Sequence, residues 1–167
     1  MKKKDDQSLP GDYIISLFTL AEEYKDAALM LNKDIVKSFL ERRPVLFPVA
    51  FLAAHAAELY LKTLIIAHEK PSPSKKTLKK LRGDIEIRHD LEKLLDELVK
   101  TCSEAEKLRE VVAILNKYSG IKMRYIELTE PNPDVIGTDE IFKVKDISKF
   151  TKDGLVEIGW VDKQFRS

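Results

Sequence analysis

Phe51-Leu52-Ala53-Ala54-His55-Ala56-Ala57-Glu58-Leu59-Tyr60-Leu61-Lys62-Thr63-Leu64-Ile65-Ile66 is apolar on most sides of a helix. Such a helix has no broad face to offer water, so it must sit at the centre of its fold with neighbours on several sides. Pro48 suits its first turn, where a missing N–H costs little. Pro71-Ser72-Pro73-Ser74 ends it just past Glu69. The apolar stretch from Pro44 to Ala67 is long enough to raise the question of a membrane, but His55, Glu58 and Lys62 interrupt it. Three ionisable groups are costly at bilayer depth, so the segment reads as a buried helix, with no membrane partner expected.

Three further stripes supply the neighbours. Ile14, Leu17, Phe18, Ala21, Tyr24, Ala28, Leu31, Ile35 and Phe39 recur at spacings of three and four. They predict a helix that starts with Asp12 as its cap and either runs to about Glu41 or bends near Asn32-Lys33-Asp34. Leu91, Leu94, Leu95 and Leu98 predict a third helix starting near His89-Asp90. Ser103-Glu104-Ala105-Glu106 has the spacing of a capping box, which would open a fourth helix with Leu108, Val111, Val112, Leu115 and Tyr118 on its core face. Gly120 is a left-handed stop for it. Beyond Gly120 the helical period fails. Glu130-Pro131-Asn132-Pro133 reads as a turn, and Ile141 to Val144 and Leu155 to Trp160 read as two short strands joined through Asp153-Gly154. The expected fold is mainly α: a helical bundle with a short C-terminal β-hairpin extension. The expected organisation is a disordered leader over 1–11, the bundle over 12–125, and an extension over 126–167 packed on the bundle or on a partner.

Composition narrows the setting. A chain of 167 residues with 44% hydrophobic residues is one domain's worth and can build a core without staples. Cys102 is the sole cysteine, so no internal disulfide can form, and a reducing, cytoplasmic compartment fits. No apolar run follows the Met1-Lys2-Lys3-Lys4 start at once, so no secretory leader is expected. The net charge of +1 excludes a strong global field. Locally, Lys70 to Arg88 holds seven Lys/Arg against two acidic residues, net +5, while Glu127 to Asp162 is net −5. A basic segment set against an acidic one can steer an anionic partner, although charge runs are most often plain solvated surface.

The central helix, with its Ala-Ala-Glu then Leu-Lys core, followed after a basic loop by His89-Asp90-Leu91-Glu92-Lys93-Leu94-Leu95, resembles HEPN domains over about residues 13–125. The resemblance implies an antiparallel bundle of four or five helices, commonly a homodimer, associated with RNA or nucleotides. It also implies the roles found in that family: metal-independent ribonuclease, partner of a nucleotidyltransferase, or component of a toxin–antitoxin or phage-defence system with an antitoxin partner. The family's ribonuclease motif is Arg, four to six residues, then His. Arg82 to His89 meets that spacing at its long limit, with Gly83 where the family has a polar residue. A histidine titrating near neutral pH can move the 2′-hydroxyl proton of RNA, and an arginine fork can hold phosphate charge, with no metal or other cofactor needed. The plainer reading is that His89, beside Asp90, organises a helix start.

His55, Glu58 and Lys62 fall on one face of the central helix at i, i+3 and i+7, as an exposed stripe or as a polar seam that Arg82 or His89 could join. Binding of metal by His55, His68 and His89 lacks an acid or Cys at ligand spacing, so no metal is expected. Lys75, Lys76, Lys79, Lys80, Arg82 and Arg88 are the candidate phosphate contacts. Arg124-Tyr125 resembles a pair near the end of some HEPN domains, for base stacking or for packing of the bundle end. Trp160 reads as a hairpin anchor. Three functions follow as expectations: a non-catalytic accessory module for RNA or nucleotides, a ribonuclease toxin using His89 with Arg82 or Arg88, and a protein-interaction module with no nucleic-acid role. A central helix too apolar for one small layer, together with the resemblance, predicts a homodimer. Light scattering should return twice the 19.2 kDa chain mass, and a monomer across a wide concentration range would contradict it.

Overall fold

The computed structural model describes residues 11–33, 46–69, 76–77, 79, 81, 89–119 and 138–162. Its α-helices are α1 (Gly11–Lys33), α2 (Leu46–His68), α3 (Leu91–Val99), α4 (Arg109–Asn116), α5 (Thr138–Phe142) and α6 (Val144–Ile158), with a 3₁₀ segment, Ser103–Leu108, leading into α4. No strand occurs among the described residues.

Helix α2 is the hub. Val49, Ala50, Ala53, Ala56, Ala57, Tyr60, Leu61, Leu64 and Ala67 are all fully buried. The small alanines let neighbours come close, and α1, α3, α4 and α6 all pack on it. Directions follow from the contacts. Phe18 and Glu22 meet Tyr60 while Tyr24 meets His55, so α1 and α2 are antiparallel. Leu91 meets Asn116 while Asp96 meets Arg109, so α3 and α4 are antiparallel too. Gly154 lies on Leu64 and Trp160 on Ala67, so α6 runs parallel to α2. The apolar composition and length of Pro48–His68 would suit a membrane span, but most of that surface is covered by the protein's own helices.

The predicted stripes of α3 and α4 are buried as expected, Leu91, Leu94, Leu95, Leu98, Leu108, Val111, Val112, Leu115 and Tyr118 among them. Of the α1 stripe Ile14, Phe18, Ala21 and Ala28 are buried, Leu17 and Tyr24 partly buried and Leu31 exposed, while Ile35, Phe39 and the run to Glu41 lie outside the described residues. Three details differ. Gly11 rather than Asp12 is the first residue of α1. The capping box of Ser103 and Glu106 does not form: Ser103 starts a 3₁₀ turn behind Cys102, which makes no side-chain cap, and Glu106 turns outward to Arg109 at 2.7 and 2.9 Å. Most substantially, the C-terminal hairpin is helix. Ile141 lies in α5, and Val144, Ile147, Ser148, Thr151, Leu155 and Val156 form the buried face of α6. The helical period was hidden because Ser148 and Thr151 occupy core-facing positions, Thr151 satisfying its hydroxyl on the Ile147 carbonyl at 2.9 Å. The leader, Arg124-Tyr125, the turn at 130–133 and the stop at Gly120 lie outside the described residues.

The two glycines of α6 have separate purposes. Gly159 has φ 80°, a left-handed position that favours glycine. Its N–H bonds the Val156 carbonyl at 3.1 Å and the next N–H, of Trp160, bonds that of Leu155 at 2.9 Å. This is the Schellman closure of a helix end. The Trp160 indole then donates to the Ala67 carbonyl, an orphan acceptor in the last turn of α2, at 2.9 Å. Gly154, expected in a turn, sits mid-helix because a Cβ there would lie 3.0 Å from Leu64 Cδ2. It sets the closeness of α6 to α2. Gly154→Val should therefore destabilise the fold by about 1–3 kcal/mol through overpacking, read as a lower midpoint in thermal or denaturant unfolding. An unchanged or raised midpoint would show that this approach is not tight.

Candidate functional site

Glu58 carries the site. It lies on α2 with its side chain only 4% exposed, and three basic groups converge on its carboxylate. Lys62, one turn on, places its ammonium 2.5 Å from Oε1. His89 approaches from the far side of the segment that separates α2 from α3, its Nδ1 3.2 Å from Oε1 and 3.1 Å from Oε2. His55, one turn earlier, sets its Nδ1 3.7 Å from Oε2, an ion-pair rather than a hydrogen-bond distance. Burial alone would raise the carboxyl's pKa. The neighbouring His55, the charge and hydrogen bond of Lys62 and the bond from His89 outweigh it, bringing the pKa from the ordinary 4.5 to about 2. Glu58 is thus an ionised acceptor at neutral pH, and His89 must present an N–H at Nδ1 to meet it.

Seating His89 takes a second fastener. Asp90, at φ −95° and ψ 108°, caps α3, its Oδ1 accepting from the Glu92 and Lys93 amides at 3.1 and 3.2 Å. Asn116, buried at the end of α4, accepts the Leu91 amide at 2.9 Å through Oδ1 and donates through Nδ2 to Asp90 Oδ1 at 3.2 Å and Glu92 Oε2 at 2.8 Å. His89, Asp90 and Leu91 are therefore gripped from α2 on one side and α4 on the other. Sequence reading passed over Asn116, since one amide at the end of an apolar stripe carries no pattern of its own.

A further polar group ties α1, α2 and α6. Glu22 accepts from Tyr60 and Ser148 through Oε1 and pairs with Lys25 through Oε2 at 2.6 Å. Burial would raise the Glu22 carboxyl's pKa, but bonds from Lys25, Ser148 and Tyr60 hold it below the usual glutamate value. Burial, then the bond to Glu22, pushes the Tyr60 phenol far above its ordinary value. A cleft of about 500 Å³ opens between the end of α2, the 3₁₀ segment and α6, lined by His68, Cys102, Lys107 and Phe150 among others. Burial lowers the His68 pKa there, against the upward pull of Glu157. None of the cleft's lining residues belongs to the Glu58 group.

His55, Glu58 and Lys62, which the sequence places on one face, meet on α2, and His89 contacts Glu58. Lys76 and Lys79 are exposed. Lys75, Lys80, Arg82 and Arg88 lie outside the described residues, so the pairing of Arg82 with His89 is not described either. His55 and His68 stand thirteen residues apart on one helix, about 20 Å. Among the described residues no group of three or more His, Cys, Asp or Glu converges as a metal requires.

A family model described as the HEPN domain matches residues 36–151, more than two thirds of the chain. No curated protein and no solved structure matches. The matched span includes both the Glu58 helix and the His89-Asp90-Leu91 start, and it reaches into α6.

The geometry of Glu58 predicts its behaviour. Its folded pKa lies below the unfolded value, so its contribution is fully present above pH 4.5 and is lost as pH falls towards about 2. Glu58→Gln should flatten the acid limb of stability over that window. Glu58→Ala, which leaves Lys62 and His89 facing a hole, should cost more, about 3 kcal/mol for breaking a mostly buried pair. Urea unfolding of both variants from pH 7 to pH 2 checks this. A wild-type acid limb retained in Glu58→Gln would assign the acid sensitivity elsewhere.

Proposed function

This chain belongs to the HEPN domain family, and on that premise we propose that it is a non-catalytic module that binds RNA or nucleotides. Family membership is consistent with a nucleotide-associated module, and the finer reading rests on how the polar groups are used. The observation that carries it is the double grip on His89-Asp90-Leu91. The imidazole is engaged by Glu58, the Asp90 carboxylate caps α3, and Asn116 fastens the next amide. Lys62 is likewise held by Glu58. Groups that chemistry would require are occupied in joining helices, which supports an architectural role for the motif. The phosphate contacts then come from the basic stretch that leads into His89, where Lys76 and Lys79 are exposed.

One observation favours a ribonuclease instead. The Glu58 contact fixes Nδ1 as the N–H of His89, and in the neutral ring this puts the lone pair on Nε2, the tautomer a general base uses. The two readings part on one experiment. Purified protein is titrated against a labelled single-stranded RNA at low and high salt, wild type beside Lys76→Gln/Lys79→Gln and His89→Gln. Binding should weaken steeply with salt, because phosphate contacts act by releasing counterions. The double lysine variant should bind every sequence more weakly and lower the salt slope by about 2, roughly one per cation lost. The RNA should stay intact throughout. Chelator-insensitive cleavage abolished by His89→Gln would establish the ribonuclease. No binding at low salt would remove both readings and leave a protein-interaction module.

A further inference from the structure

The Glu58 group is continuous with a cluster that the reading above does not use. His55 lies between two aromatic side chains. The Tyr24 ring, from α1, meets it at 4.5 Å between centroids and 89° between planes. The Phe51 ring, one turn back on α2, lies parallel to it within 2°, centroids 6.0 Å apart. All three side chains are half-buried; Tyr24 stands on α1, and Phe51 and His55 on α2, where Val49, Ala50, Ala53, Ala56 and Ala57 are buried. Tyr24 packs on the core yet stays partly exposed, as do Phe51 and His55, and Leu20 and Leu31 of α1 are exposed. His55 Nδ1 then leads directly to Glu58 Oε2 at 3.7 Å, and through Glu58 to Lys62 and His89.

We propose that Tyr24, Phe51 and His55 form a stacking platform for a nucleobase. This inference rests on the nucleotide-associated reading above and names the part of the ligand that the lysines cannot recognise. The chemistry follows from the π faces. Every base offers one, so an aromatic ledge binds bases with little sequence preference, and each stacked base adds affinity to a backbone held by cations. Phe51, His55, Glu58 and Lys62 follow one another at i, i+4, i+7 and i+11, so ring, carboxylate and ammonium lie along a single stripe about 16 Å long. A base seated on these rings leaves its phosphates to the exposed cations of the basic stretch, Lys76 and Lys79 among them.

The base can come from a strand or from a free nucleotide, and the test separates the two. The full chain is titrated with a short oligoribonucleotide carrying one 2-aminopurine, and separately with 2-aminopurine riboside triphosphate. Anisotropy reads binding, and quenching of the 2-aminopurine reads stacking. The platform predicts quenching on binding. Tyr24→Leu and Phe51→Leu should remove the quenching and lower affinity about tenfold, whereas Phe51→Trp should restore both. Lys76→Gln/Lys79→Gln should weaken binding yet leave the quenching of bound ligand unchanged. Quenching by the oligonucleotide alone assigns the platform to a strand, and quenching by the triphosphate assigns it to free nucleotides. Circular dichroism of each variant separates loss of stacking from loss of fold, and should Phe51→Leu not fold, Tyr24→Leu and Phe51→Trp carry the test. Binding without quenching, or quenching untouched by Tyr24→Leu, overturns the platform while leaving the RNA reading standing. No binding of either ligand at low salt overturns both.

Discussion

An ionised carboxylate inside the most apolar helix of the chain is the constraint on which the rest of the architecture depends. A charge at that depth is tolerated only when it is paired and hydrogen-bonded. Glu58 cannot satisfy itself from its own helix: Lys62 supplies one oxygen, and the second strong donor comes from His89, thirty-one residues away. Folding α2 into the core therefore obliges the start of α3 to arrive at one place. A hydrophobic surface would accept α3 in several registers, since apolar burial is non-directional. The carboxylate accepts only one.

The same logic recurs at two other polar side chains, one partly and one fully buried. Glu22 binds α1 to Tyr60 of α2 and to Ser148 of α6. Asn116 binds α4 to the beginning of α3 with both ends of its amide occupied. Each of these side chains joins helices that are separated in sequence, and each lies where leucine would pack with less specificity. Large buried apolar side chains such as Leu61, Leu64, Leu94 and Leu98 supply the driving force, at about 1.5–3 kcal/mol each. The polar fasteners select which packing that force produces.

How much of this was legible depended on which signal each element carried. The four stripes through Tyr118 were readable because their core positions are nearly all Leu, Ile, Val, Ala or aromatic, so spacing alone reveals the helix. The last helix was not, because Ser148 and Thr151 stand on its buried face and Gly154 in its middle, and this mixture reads as strand, turn and strand. What makes these residues good helix residues is external to the segment: a carboxylate on α1 that takes the serine, and a leucine on α2 that crowds the place a Cβ would take. The capping box failed for a related reason, since Arg109 drew Glu106 outward. At the site, the stripe of His55, Glu58 and Lys62 could be read from spacing, and the His-Asp-Leu start from its resemblance. Asn116 and the ring contacts of Tyr24 and Phe51 are relations between segments, and no local pattern announces them.

The closure of α6 on α2 also gives the molecule an optical property. Trp160 is the only tryptophan of the chain, and its indole N–H is committed to the Ala67 carbonyl at the end of the central helix. Its emission therefore reports one joint and nothing else: the seat of the C-terminal helix against the hub. A change of colour ahead of the loss of helical ellipticity would mean that α6 lifts away as a separate cooperative unit. Coincident changes would mean that the parallel α2–α6 pair melts as one.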